Sequence, residues 1–173
     1  MWRACGWMAL LVGAAFGDEP SPLPSASIRT SQASAKTFEV EGPEEALRVS
    51  FDDLELRQLL NIEEIPVDVE SHLPEWLKKL NGKTVRINGA MFPPPMESGL
   101  KIFLFTHHTE LMHFGRRHHV DEKMGVRMRE GVTADYISGR PFDVVGKFTI
   151  KSRVSDGKLH LLYTIEDAVV IDE

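Results

Sequence analysis

The sequence predicts a mainly β domain in which five strands curl into a small barrel, closed or partly open, behind one or two short helices. Three observations predict it. From Lys83 onward, hydropathy alternates with a period of two in successive segments, as in strands with one covered face. Turn-rich stretches such as Pro93-Pro94-Pro95 and Ser155-Asp156-Gly157-Lys158 separate those segments. The 173 residues are 42% hydrophobic and 27% charged, with a net charge of −6, which suits one ordinary globular domain. These figures exclude a collagenous, disordered or polytopic membrane chain. The acidic balance argues against a nucleic-acid binder, which shows a basic footprint.

The first seventeen residues read as a secretory signal peptide. Arg3 supplies the n-region charge, Met8 to Phe16 is an apolar run, and Ala15 and Gly17 are small residues before a cut ahead of Asp18. The apolar run stops well short of the roughly 20 residues that a membrane span needs. Cleavage removes Cys5, the single cysteine, so the exported chain has no disulfide framework and no four-cysteine zinc site. Residues 18–36 follow as a flexible Ser/Ala/Pro linker, because such a composition buries too little to offset the entropy of ordering. The expected location is the periplasm or the extracellular space, with no transmembrane span left after cleavage.

Residues 37–72 read as an N-terminal extension. Thr37-Phe38-Glu39-Val40 and Ala46 to Phe51 each have strand character. Ser50 and Asp53 have capping-box spacing, ahead of a short helix carrying Leu54, Leu56, Leu59 and Leu60 and ending near Asn61. Pro66 lies in a loop.

The barrel is expected over residues 73–173. Pro74 opens a helix whose Trp76, Leu77 and Leu80 share one side, and Asn81-Gly82 stops it. Trp76 should pack this entrance helix onto the barrel. In the strand from Lys83 to Phe92, Val85, Ile87 and Met91 face inward, and Gly89 marks a bend. Leu100 to Thr106 is apolar on both faces, which predicts a well-covered central strand. Glu122 to Arg129 turns Met124, Val126 and Met128 inward. Glu130 to Arg140 holds a short helix or an irregular crossing. Phe142, Val144, Phe148 and Ile150 share a face of the next strand. Lys158 to Asp172 forms the last strand, whose alternation slips near Glu166-Asp167, where a β-bulge restores it. This order matches an OB-like barrel, with a β-sandwich as the alternative.

Chemistry concentrates in one loop. Five of the seven histidines lie between residues 107 and 119: His107, His108, His113, His118 and His119. Met112 sits among them, and Asp121 and Glu122 follow. Imidazole is a common ligand of zinc and copper, and thioether suits copper(I). His107 and His108 are adjacent, so at a strand end they should point to opposite sides, leaving one of them for a single site. Arg116 and Arg117 oppose a third cation. A polar surface loop therefore stands beside a metal site as a reading of this cluster, with a pH-responsive loop as a third. No catalytic motif competes. Ser98 is not in a nucleophile elbow, no glycine-rich phosphate loop is present, and Glu63-Glu64 and Asp52-Asp53 are sequence neighbours that do not converge.

Several landmarks occur in a specific order: LPEWLKKLNGKTVRINGAMFPP from Leu73, LKIFLF from Leu100, HFG from His113, GVRMREGVTADY from Gly125 and RPFDVVGKFTI from Arg140. Together they resemble an uncharacterised family of exported bacterial proteins, domain-of-unknown-function family 3299, over about Leu73 to Asp172. The resemblance implies a small OB-like barrel. It also implies, by association only, relatives that are lipoproteins or that lie beside transporter components thought to handle metals. Many relatives carry cysteine just before the Phe-Gly of the third landmark, where this chain has Met112 and His113. That departure counts against thiol chemistry and leaves soft-metal binding open.

The leading functional expectation is an exported, non-enzymatic binding module. Its narrower form binds zinc or copper through His107, His108, Met112, His113, His118 and His119, with no cofactor certain. The alternative is a cell-envelope interaction or scaffold domain whose partner is an envelope protein or transporter component. A weaker alternative is a metal-dependent hydrolase, with Glu110 as base to a metal-bound water.

Overall fold

The computed structural model describes residues 36–108 and 118–172. The expected signal peptide, nearly all of the linker, and Glu110, Met112 and His113 lie outside the described residues. The fold is mainly β. Among the described residues seven strands form one sheet: β1 (Val40–Glu41), β2 (Ala46–Val49), β3 (Thr84–Met91), β4 (Ile102–Thr106), β5 (Lys123–Met128), β6 (Phe142–Ser155) and β7 (Lys158–Ile171). Two short helices, α1 (Leu56–Leu60) and α2 (Glu75–Leu80), lie between β2 and β3. No helix among the described residues is long and apolar enough to cross a membrane.

The sheet order is β1-β2-β3-β4-β5-β7-β6, and β6 also pairs with β3, which closes five strands into a ring. The ring is thin at one seam, where β3 meets β4 over only Ala90↔Thr106 and Met91↔Phe105. The expected barrel is thus a loosely closed ring continuous with two further strands rather than a clean cylinder. Antiparallel pairs dominate; β5 runs parallel to β7, and β2 runs parallel to β3.

Alternation predicted most faces correctly. Val85, Ile87, Met91, Met124, Val126, Phe142, Val144 and Phe148 are all buried, in one core cluster with Trp76, Leu77 and Leu80 of α2. Burying a side chain such as Leu77 contributes about 1.5–3 kcal/mol. Trp76 also meets Phe38, with ring centroids 5.9 Å apart. The strand Leu100–Thr106 departs from expectation. Phe103 and Phe105 are buried on the inner face, while the other face runs from exposed at Ile102 (56%) through half-buried Leu104 to buried Thr106, so β4 is covered on both faces only towards its end. Residues 130–140 form an irregular crossing without a helix, pinned by the Leu100↔Ala134 bridge.

The cap signals hold. The Ser50 backbone N–H donates to Asp53 (2.9 Å) and the Asp53 backbone N–H donates to Ser50 Oγ (3.2 Å). This reciprocal pair leads into a 3₁₀ turn at Asp52–Leu54, with α1 following as a separate element rather than as one continuous helix. Asn61 ends α1 in the left-handed region (φ 51°), as a C-terminal stop does. Pro74 caps α2.

β2, β3 and β6 are also tied by charge. Asp143 on β6 accepts from Arg48 (2.6 Å), Arg86 (2.5 Å) and Asn88 (2.7 Å). Burial alone would raise the Asp143 carboxyl, but these donors outweigh it and hold the group below the usual aspartate range.

Candidate functional site

β2 creates the site by limiting β4. It occupies the edge of β3 through Leu47↔Val85, Arg48↔Arg86 and Val49↔Ile87. β4 reaches the same edge only at Ala90 and Met91. After Thr106 the Phe51 ring, just past the end of β2, crowds the next place along β3 at Gly89, and the chain leaves the sheet at His107. There it meets Phe51, at the end of β2. The His107 ring stacks on Phe51 with centroids 5.4 Å apart and planes 15° apart. The His108 ring stacks on His107 at 3.7 Å and 25°.

This corrects the expectation that the two histidines point apart. Strand alternation ends at Thr106, so the period of two no longer separates their side chains. Phe51, His107 and His108 form a short column of rings. On one side of it lies a cavity of about 290 Å³, lined as well by Asp52, Glu55, Asp121 and Glu122. On the other lies a cavity of about 400 Å³ bordered by Arg48, Ser50, Asn88 and Pro141.

The acidic wall comes from two places distant in sequence. Asp52 and Glu55 follow β2. Asp121 and Glu122 lie in a 3₁₀ turn, Val120–Glu122, just before β5. Arg57 of α1 joins them, with Nη2 2.7 Å from Glu122 Oε1 and 3.6 Å from Glu55 Oε1, and Nε 3.5 Å from Asp121 Oδ2. The Arg57 backbone N–H also donates to Asp121 Oδ2 (3.3 Å). Asp121 is 1% exposed, and its Oδ1 has no hydrogen-bond partner among the described residues. Such an orphaned buried oxygen is costly. The His107 backbone N–H donates to the Glu122 carbonyl (3.2 Å), which joins the two halves of the site.

His118 and His119 differ in role. The His119 backbone N–H donates to Glu122 Oε2 (2.9 Å), and the Glu122 backbone N–H donates to the His119 carbonyl oxygen (3.2 Å), so His119 caps the 3₁₀ turn. Both ring nitrogens of His118 are buried without a partner among the described residues, and its ring meets Phe92 edge-on at 6.1 Å.

Three groups of the site are shifted by their surroundings, all downward. Burial, then the neighbouring His108, pushes His107 below the usual histidine range, against the pull of Asp52, Glu55 and Glu122. Burial likewise lowers His118, with Glu122 opposing. Burial alone would raise Glu122, but the His119 backbone N–H and Arg57 outweigh it and hold the carboxyl down. Neutral imidazoles keep a lone pair for a cation or a donor.

The structure therefore brings His107 and His108 together and sets His119 aside as a cap. Met112 and His113 lie outside the described residues. Among the described residues, no group of three or more His, Cys, Asp or Glu side chains is arranged to hold a metal ion. Phe51, Glu55 and Arg57 escaped the sequence reading, because the parallel β2–β3 pairing that delivers them has no local signal.

No family model matches the chain, and no curated protein matches it. A solved structure is similar in part: the crystal structure of a DUF3299 family protein from Pseudomonas aeruginosa PAO1. The match has 15% identity and a TM-score of 0.46, covering 74% of this chain and 97% of that one. The family it names is the one that the sequence landmarks resemble.

Proposed function

We propose that this protein is an exported, non-catalytic binding module that holds a cation at the end of β4. The observation that supports this most is the stacked pair His107–His108, 3.7 Å apart, forming one wall of a cavity that also carries the carboxylates of Asp52, Glu55, Asp121 and Glu122. Imidazoles and carboxylates attract and ligate cations, and among the described residues nothing in the cavity resembles a nucleophile with its base. The transition-metal form of the reading draws on His107, His108 and His118. Its further donors would be Met112 and His113, which lie outside the described residues. Export rests on the signal-peptide pattern of residues 1–17.

The test is a competitive titration of the full chain with zinc(II), copper(II) and copper(I). One-to-one binding that weakens in both His107→Ala and His108→Ala supports a metal as the cargo. Binding no tighter than that of a histidine-rich peptide, and unchanged in those variants, removes the metal form.

A further inference from the structure

We infer that the cavity beside Phe51 seats an organic cation, an alkylammonium or guanidinium group, in preference to a bare metal ion. This rests on the cation-binding reading above and names the ligand class for that pocket.

Size is the first argument. The cavity of about 290 Å³ holds far more than one ion, since a water molecule claims only about 30 Å³ of liquid. Donor placement is the second. A zinc ion draws its ligands to within about 2.0–2.3 Å of one point, and among the described residues no three candidate ligands are so gathered. An ammonium or guanidinium group instead spreads several N–H donors outward, and so bridges acceptors that stand apart.

The walls give the third argument. The stacked column of Phe51, His107 and His108 is an uncharged flank beside the carboxylates, so the alkyl part of an organic cation can lie along it while its N–H donors face the acidic side. The fourth is that a guanidinium already stands beside the pocket. Arg57 lies among Glu55, Asp121 and Glu122, three carboxylates that line it, and among the described residues the buried Oδ1 of Asp121 still lacks a donor. A second cation from outside would complete the balance.

Free amines and the basic side chains of a partner protein share this chemistry, so calorimetry should use both. The probes are spermidine and capped tripeptides with a central Lys or Arg, with norleucine as the uncharged control. We expect at least one cationic probe to bind the full chain one-to-one while the norleucine peptide does not. Asp121→Asn should weaken that binding about tenfold, the effect of one charged hydrogen bond. Because Asp121 is buried, Asp52→Asn with Glu55→Gln at the rim is the companion variant, and it should weaken binding similarly. Spermidine binding alone points to free polyamines; peptide binding alone points to a partner protein. Failure of every cationic probe, or binding unchanged in both variants, overturns the inference. Zinc binding without probe binding overturns this inference alone, whereas failure of zinc and probes together also removes the cation-binding reading.

Discussion

A side chain on Gly89 would collide with the carbonyl oxygen of Thr106: an ideal Cβ there stands 2.7 Å from that oxygen, and 2.8 Å from the rings of both Phe105 and Phe51. This is where β2 hands the edge of β3 to β4, and where His107 leaves the sheet. A glycine lets three strand ends converge without displacing each other.

Gly89→Ala should therefore destabilise the fold by about 1–3 kcal/mol, the usual penalty for overpacking a tight site. For a chain of this size that lowers the melting temperature by about 2–4 °C per kcal/mol. Thermal unfolding followed by circular dichroism measures it. An unchanged midpoint would mean that the seam yields more readily than its distances imply.

Asp143 carries the second prediction. Asp143→Asn keeps the shape but removes the charge facing Arg48 and Arg86, and should cost about 1.5–3 kcal/mol at pH 7. The sign of its pH dependence follows from a folded carboxyl held below its unfolded value. The contribution is complete above the unfolded value of about 3.9 and is lost as pH falls through the lower folded one. Urea midpoints of wild type and variant should differ at pH 7 and draw together below about pH 4. A gap of constant size across that range would count against the carboxylate as its source.

Legibility in the sequence divided along sequence separation. The faces of β3, β5 and β6, the Pro74 start of α2 and the Ser50–Asp53 cap were readable, because each depends on neighbours a few residues apart. The slip near Glu166-Asp167 was readable for the same reason, since a bulge breaks a period of two locally. The cavity was not. Phe51 stacks on His107, and Arg57 reaches Asp121 and Glu122, only because β2 pairs parallel to β3 across the two helices. Of the five clustered histidines, His107 and His108 share the cavity, His119 caps a 3₁₀ turn, and His113 lies outside the described residues. The expectation that His107 and His108 point apart fails because strand alternation ends at Thr106.

The bulge itself gives the third prediction. Pairing jumps from Val145↔Val169 to Lys147↔Glu166, and Asp167 sits in the left-handed region (φ 54°). Asp167→Val should lose about 1–2 kcal/mol, because a β-branched side chain suffers most there. Asp167→Gly relieves that strain while dropping an exposed pair with Arg129, 3.2 Å away, so the two effects should nearly cancel. Chemical denaturation of both variants decides it. Equal losses for Gly and Val would show that the ion pair, not the backbone, holds this residue.

The fourth prediction joins stability to the proposed site. Arg57→Met leaves the Asp121 side chain, fully buried, without its cation, and removal of one partner from a buried pair costs about 3–5 kcal/mol. Asp121→Asn removes the charge that needed balancing, so the double variant should lose less than the two single losses combined. A coupling of about 0.5–3 kcal/mol is the expected size for groups in direct contact. The same cycle reports on the cavity. With Arg57 gone, an external cation has one fewer competitor and one more unmet carboxylate. Added cation should therefore stabilise Arg57→Met more than wild type, by up to about 2.7 kcal/mol at a hundredfold excess over its dissociation constant. Melting curves with zinc(II) and with spermidine measure this directly. A larger upward shift in Arg57→Met than in wild type, absent in the double variant, would tie the cation to Asp121. Equal shifts in all three proteins would place any bound cation elsewhere.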